Sequence, residues 1–109
     1  MAISPAQLTP PQNMPAAEQV YFTCAGGARI DKVTIANPSA TADTVTLQIV
    51  PSGSSSSTNN TLTFQRAIAA GQTWNCPDLI GHILNRADTI QGSSSGGNLT
   101  IMISGITIT

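Results

Sequence analysis

Short runs in which apolar and polar residues alternate recur along this chain, and turn-forming residues separate them. The clearest run lies within Asp43–Pro51, where Val45, Leu47 and Ile49 alternate with threonine and glutamine. Because successive side chains of a β-strand point to opposite faces of a sheet, this pattern predicts a half-buried strand. An amphipathic helix would instead place apolar residues three and four positions apart.

Comparable runs occur elsewhere, and glycine, proline or asparagine ends most of them. Val33 and Ile35, for example, share one predicted face of the run Arg29–Asn37, which ends before Pro38. The predicted strands are Val20–Cys24, Arg29–Asn37, Asp43–Pro51, Leu62–Arg66, Thr73–Cys76, Asp88–Gln91 and Leu99–Ser104. Turn signals at roughly ten-residue spacing are typical of small all-β domains. The chain is therefore predicted to be all-β, as a single β-sandwich or jelly-roll-like domain of about seven to eight short antiparallel strands.

The last run changes phase. Leu99, Ile101 and Ile103 alternate with polar residues, whereas Ile106 and Ile108 follow Gly105 on the other phase. A glycine at such a slip predicts a bulge, after which the two isoleucines continue on a shifted register.

One segment permits two interpretations. Leu79, Ile80, Ile83 and Leu84 have a spacing that also suits one short helical turn, and Asp78 could cap such a turn. Strand and helical turn both stay open for this segment.

The first 17 residues contain four prolines, which interrupt helices and sheet ladders. We therefore predict an extended N-terminal arm over residues 1–17, followed by a β-sandwich domain over residues 18–109. Ile3, Leu8 and Met14 are the apolar anchors of this arm and the predicted interface residues. The alternative is a disordered terminus, which is common at chain ends.

Charged residues make up 8% of the chain, against roughly 25% in ordinary globular proteins. Serine, threonine, asparagine and glutamine take their place, so the surface is predicted to be neutral and hydrogen-bonding. Such a surface lacks the charge that usually keeps a monomer soluble, which favours packing against copies or a partner. The four cations are scattered at Arg29, Lys32, Arg66 and Arg86, so tight nucleic-acid binding is not expected.

No run approaches the roughly 18 to 20 apolar residues of a membrane helix, so no membrane association is expected. The first residues also lack the cationic and apolar regions of a signal peptide. The chain is therefore expected to be made and folded in a cytoplasm.

Residues capable of catalysis are few, and we expect no enzymatic activity, no catalytic residue and no cofactor. His82 is the only histidine, and we expect a structural or interface role for it. Asp88 precedes a predicted strand as a turn residue would. Cys24 and Cys76 form no CxxC motif, so no metal site is expected. Two buried free thiols are expected in a reducing compartment, and a disulfide between them stays open.

The aromatic residues are Tyr21, Phe22, Phe64 and Trp74, and the core is expected to hold most of them. Trp74 has an alternative interpretation as an exposed ring on which a sugar stacks. That alternative would indicate a glycan-binding module.

Five segments together resemble small virion proteins of tailed bacteriophages. They are Ile30–Asn37, Asp43–Gly53, Ala69–Thr73, Leu84–Ile90 and Thr100–Gly105. The resemblance lies in a strand that ends in asparagine, a following "VTLxIVPSG" strand, an "AGxT" turn and a final strand ending in "ISG". This chain departs from the pattern at Ala87-Asp88, where Gly-Asp is frequent, and in the insertion of residues 78–82.

The resemblance implies a β-sandwich that decorates or cements a capsid, or that belongs to a tail, neck or baseplate. It implies the major capsid protein as partner, a homotrimer, and a place on the capsid surface after assembly in the host bacterial cytoplasm. No catalytic residues come with it.

Overall fold

The computed structural model describes residues 3–55 and 58–108, which form nine β-strands and one 3₁₀ turn at Thr58–Asn60. The strands are β1 (Ile3–Met14), β2 (Gln19–Thr23), β3 (Gly27–Ala36), β4 (Asp43–Val50), β5 (Thr61–Ile68), β6 (Thr73–Asn75), β7 (Ile83–Leu84), β8 (Thr89–Ser94) and β9 (Leu99–Ile108). No α-helix occurs in these ranges.

The strands form two sheets, and every pairing between them is antiparallel. Sheet A has the order β1-β9-β3-β6, and β7 also pairs with β3. Sheet B has the order β2-β8-β4-β5. The all-β prediction is confirmed, and the two sheets are compatible with a β-sandwich.

One hydrophobic core joins the two sheets, because side chains from both belong to the same buried cluster. Val33 and Ile35 of β3 are fully buried, as their alternation predicted. Val45 and Leu47 of β4 are also fully buried, and Ile49 is half-buried against the same cluster. Burial of these apolar side chains is the main favourable contribution to folding.

The N-terminal segment is extended, as predicted, but it is a strand of sheet A, and a separate arm is not shown. β1 pairs along β9 from Ile3 opposite Ile108 to Met14 opposite Leu99. The prolines are tolerated because β1 is an edge strand, in which one side of the backbone needs no partner. Pro10 and Pro11 lie in the interval where the register shifts, so neither has a paired residue on β9.

A bulge does occur at Gly105, but the extra residue belongs to the neighbouring strand. Ile30 of β3 pairs with Gly105 and Lys32 pairs with Ser104, which leaves Asp31 without a paired residue on β9. The bulged backbone lies so close that a Cβ on Gly105 would collide with the Arg29 carbonyl oxygen. Glycine is therefore required here for space.

Because the extra residue lies in β3, β9 itself runs without interruption. Ile106 and Ile108 consequently point to the outer face of sheet A, where each is half-buried. The prediction that Ile106 and Ile108 continue on a shifted register is wrong. β9 contains no extra residue after Gly105, so the two side chains face away from the core.

The segment with two interpretations is a turn over residues 77–81 followed by the short strand β7. The Gly81 N–H donates to the Ile30 carbonyl at 2.7 Å, and the Ile30 N–H donates to the His82 carbonyl at 3.1 Å. These two bonds hold the turn against β3, and Leu79 is fully buried.

Candidate interaction surfaces

The three predicted interface residues lie in different environments. Leu8 is 6% exposed and Met14 is fully buried, and both belong to the core cluster. Ile3 is 61% exposed at the start of β1. Of the three side chains, Ile3 is thus the one that this structure offers to a partner.

Ile3 belongs to a larger surface on the outer face of sheet A, which we call the apolar end. It consists of Ile3, Pro5, Ile83, Ile106 and Ile108. Strand pairing places these residues together: Ile3 lies opposite Ile108 and Pro5 opposite Ile106. Ile106 and Ile83 both pair with Arg29, one on each side of β3. Since paired residues of antiparallel strands share a face, the five side chains lie on the same face, with the exposed Arg29 side chain between Ile83 and Ile106.

An open depression of about 490 Å³ adjoins the apolar end. It lies between the turn before β3 and the strand β7, and it is lined by Gly26, Gly27, Ile83, Leu84, Arg86 and Ile108 among others. Ile83 is 58% exposed, so much of its side chain faces solvent at this site. Arg86 is the charged residue of the lining.

A second apolar surface lies on β5, at the edge of sheet B, and we call it the β5 ridge. It consists of Leu62 and Phe64, and Phe64 is 68% exposed. The backbone explains this exposure. Val45 of β4 pairs with Arg66 and Leu47 pairs with Thr63, so the register shifts between them and β5 carries a bulge at residues 64–65.

The bulge turns Phe64 away from the core. Gln65 adopts a left-handed backbone with φ of 48°, and its N–H donates to the Thr46 hydroxyl at 3.2 Å. The expectation that the core holds most aromatic residues is confirmed for Tyr21, Phe22 and Trp74, which belong to the core or pack against it. Phe64 is the exception.

Beneath the β5 ridge, side chains close the edge of the sandwich between β5 and β6. The Arg66 guanidinium lies 4.8 Å from the centre of the Trp74 ring, an attractive cation–π contact. One face of the Trp74 ring is therefore covered, which disfavours the stacking of a sugar there. Thr63 donates to the Asp78 carboxylate at 2.8 Å, and its oxygen lies 3.3 Å from the Cys76 sulfur.

The two cysteines are free and buried, as expected. Burial raises the pKa of the Cys24 thiol, and the negative charge of Asp88 raises it further, although an N–H from Gly26 opposes the shift. The thiol therefore stays protonated and is a poor nucleophile. His82 is exposed at the end of the turn.

Asp43 is the most extensively bonded carboxylate in the described part of the chain. It is 3% exposed and accepts bonds from the Ser95 hydroxyl at 2.6 Å, the Gly96 N–H at 2.7 Å and the Asn98 N–H at 3.1 Å. Burial alone would raise the pKa of Asp43, but these bonds and one from the Thr44 N–H outweigh it and lower the pKa. Asp43 thus fixes the turn between β8 and β9.

The other predicted turn residues differ in outcome. Asp88 accepts bonds from the Asn85 N–H at 2.8 Å and the Ser52 N–H at 3.0 Å, which confirms its turn role. Asp78, the predicted helix cap, instead accepts the bond from Thr63. The Tyr21 hydroxyl is buried without a hydrogen-bond partner among the described residues, and burial raises its pKa to about 12.

Within residues 3–55 and 58–108, no three histidine, cysteine or acidic side chains lie close enough to hold a metal ion. In the same part of the chain, no helix is long and apolar enough to cross a membrane. Comparison with protein-family models, curated proteins and solved structures finds no match for this chain.

Sequence reasoning missed the two surfaces that the fold creates. Ile106 and Ile108 did carry a signal, since an apolar run that changes phase at a glycine places side chains on both faces of a strand. Phe64 carried none, because its exposure depends on a bulge relative to β4. Ile83 was ambiguous because its short segment suits more than one conformation.

Proposed function

We propose that this chain is a structural protein of a phage virion, acting as a capsid cement or decoration protein that clamps adjacent major capsid subunits. The observation that carries the proposal is the pair of apolar surfaces, the apolar end and the β5 ridge, on opposite sheets of a nearly uncharged domain. A protein with two separate apolar surfaces can contact two neighbours at once. Exposed apolar patches commonly mark protein–protein contacts.

The strand order gives independent support. When the two-residue strand β7 is set aside, eight strands remain in the orders β1-β9-β3-β6 and β2-β8-β4-β5. This order supports a jelly roll, in which β1 to β4 alternate between the two sheets. Jelly rolls are the domains of many viral capsid proteins and lectins. The sequence resemblance to small virion proteins leads to the same setting.

The mechanism of such a clamp is non-covalent. A stable contact buries roughly 800 Å² on each partner, and contacts repeated over a shell resist expansion through avidity. Because charged residues are only 8% of the chain, apolar burial and hydrogen bonds supply the affinity. Attachment is therefore insensitive to moderate salt, since salt mainly weakens contacts between charges.

The decisive experiment is the copy number of the chain in purified virions, measured by quantitative mass spectrometry against the major capsid protein. A simple ratio that gives hundreds of copies supports a cement protein on the capsid surface. A few copies per particle would assign the chain to the tail, neck or baseplate, and its absence would end the virion proposal.

Salt and temperature provide a second measurement. Particles washed in moderate sodium chloride retain the protein, and particles that carry it rupture at a higher temperature than particles without it. Release by that wash would contradict a contact made by apolar surfaces.

A further inference from the structure

We propose that the prolines of β1 prevent copies of this chain from pairing strand to strand, because they close the longest sheet edge in the described residues. These prolines are Pro5, Pro10 and Pro11, and all three are exposed. A free strand edge presents unpaired N–H and C=O groups, which are a template for a strand of another copy. The proposal concerns the sheet edges alone, so it stands or falls separately from the virion role proposed above.

The other edge of sheet A is short and interrupted. Among the described residues, sheet A ends at β1 on one side and at β6 and β7 on the other. β6 has three residues and β7 has two, and the turn over residues 77–81 separates them. Such an edge offers few backbone groups to an incoming strand, so it needs no further protection.

The β2 edge of sheet B is also unsuited to pairing. β2 has five residues, and its register against β8 shifts at Tyr21, which has no paired residue on β8. The Tyr21 carbonyl accepts a hydrogen bond from the fully buried Thr9 hydroxyl of β1 at 3.0 Å. A short, bulged strand whose carbonyl is already bonded to the opposite sheet is a poor template.

The β5 edge of sheet B is longer but irregular. Two register shifts against β4, together with the left-handed backbone of Gln65, break the repeat of its eight residues. Arg66 pairs with the buried Val45, so its side chain lies on the inner face, where it covers the Trp74 ring. Bulges and inward-pointing charges on an edge strand both disfavour the addition of another strand.

The β1 edge differs from these three, because it is long and partly regular. β1 has twelve residues, and Ile3–Gln7 pairs with β9 without a register shift. Pro5 lies in the middle of this regular stretch, opposite Ile106. Since proline has no N–H, it is tolerated in a ladder where its nitrogen faces the open side. The Pro5 ring therefore lies at the free edge, where an incoming strand would need a donor.

Pro10 and Pro11 interrupt the second half of the same edge. They lie in the bulge between Thr9 and Gln12, and they are two consecutive residues without an N–H. Without the three prolines, β1 would offer an edge of roughly 40 Å, at about 3.3 Å per residue. The strand that would add to this edge is β1 of a second copy, which would present an equally long edge.

The test opens the edge in the full-length chain by combining Pro5→Thr, Pro10→Thr and Pro11→Thr. Threonine favours strands and adds little apolar surface, so any new association is attributable to the backbone. Light scattering shows this variant associating at a concentration about tenfold below that of the wild type. Hydrogen exchange measured by mass spectrometry shows increased protection of the β1 amides in the associated form.

The matched control removes the same number of prolines from outside the strands, as Pro15→Thr, Pro38→Thr and Pro77→Thr in one chain. This control keeps the association of the wild type, because its β1 edge is unchanged. Equal association of the two triple variants would overturn the proposal, since the loss of prolines anywhere would then be sufficient.

A lysine on the opened edge distinguishes edge pairing from unfolding. Gln7 is exposed on β1, and lysine on an edge strand disfavours the addition of another strand. Gln7→Lys in the opened variant therefore restores wild-type association, whereas it would not restore a variant that had unfolded. Pro5→Thr alone, in the regular stretch, gives the same direction of change if the triple variant fails to fold.

Two results would overturn the proposal. One is wild-type association of both Pro5→Thr and the opened variant at every concentration, and the other is association of the opened variant that Gln7→Lys leaves unchanged. Neither result would alter the copy number of the wild-type chain in virions, so failure here is distinguishable from failure of the virion role.

Discussion

Two of the bulges in the described residues have different surroundings, one in the middle of sheet A and one at the edge of sheet B. The central bulge leaves Asp31 of β3 without a paired residue and lies directly against Gly105 of β9. The edge bulge places Phe64 and Gln65 on the surface of β5, with a single neighbouring strand. A bulge is therefore enclosed by neighbouring strands in sheet A and exposed to solvent at the edge of sheet B.

The difference shows how position decides the consequence of a bulge. In the centre, strands on both sides fix the backbone, so the bulge tolerates no added atom at Gly105. At the edge, the bulge is free on one side, and it projects an aromatic ring that the core would otherwise hold. The edge bulge thereby creates the β5 ridge, one of the two apolar surfaces on which the proposed function rests.

The largest expected effect comes from Gly105→Ala in the central bulge. The new Cβ would collide with the Arg29 carbonyl oxygen, so the free energy of unfolding falls by about 3 kcal/mol or more. Chemical denaturation measures the change. Ser104→Ala is the control, since Ser104 is half-buried on the outer face. This variant lowers the free energy of unfolding by about 0.5 kcal/mol or less. Equal stability of the two variants would contradict the enclosed character of this bulge.

The contrast between enclosed and exposed groups extends to the carboxylates. Asp43→Ala removes a buried carboxylate and leaves the Gly96 and Asn98 N–H groups without acceptors, so the unfolding free energy falls by about 2–4 kcal/mol at neutral pH. Asp78→Ala is the matched control, because the Asp78 carboxylate is exposed and accepts one hydrogen bond. This variant changes the unfolding free energy by about 1 kcal/mol or less.

Acid titration sharpens the same comparison. The pKa of Asp43 in the folded protein lies below its ordinary value of 3.8, so its contribution to stability is complete above that value and is lost as the pH falls below it. Unfolding curves recorded on acidification show this loss in the wild type and not in Asp43→Asn. An identical acid dependence in both proteins would contradict the role of Asp43.

The smallest expected effect is a gain, from Gln65→Gly in the edge bulge. Gln65 has φ of 48°, a left-handed conformation that glycine adopts without strain, so the unfolding free energy rises by about 0.5–1 kcal/mol. Ala67, on the same strand, lies outside the left-handed region, so Ala67→Gly lowers the free energy of unfolding by a similar amount. In thermal unfolding, Gln65→Gly raises the melting temperature and Ala67→Gly lowers it. A lower melting temperature in both variants would show that the bulge is not the source of strain.

Much of the fold follows from local pattern. The faces of Val33, Ile35, Val45 and Leu47 were predictable, because each lies in a strand whose alternation is complete within a few residues. The turn role of Asp88 and the free, buried state of the two cysteines followed from residue chemistry in the same way. In contrast, the place of the N-terminal segment depended on residues about 85 to 105 positions away, since β1 pairs with β9.

The sequence by itself determined that the chain forms short strands, which residues of most strands face the core, and that the surface carries few charges. Those properties depend on side-chain alternation, turn residues and composition, which are local. The tertiary structure decided which strands are neighbours, that Leu8 and Met14 lie in the core, and that Ile83, Ile106, Ile108 and Phe64 lie outside it. These outcomes depend on register between strands distant in the chain, and a shift of one residue in register reverses the face of every side chain that follows.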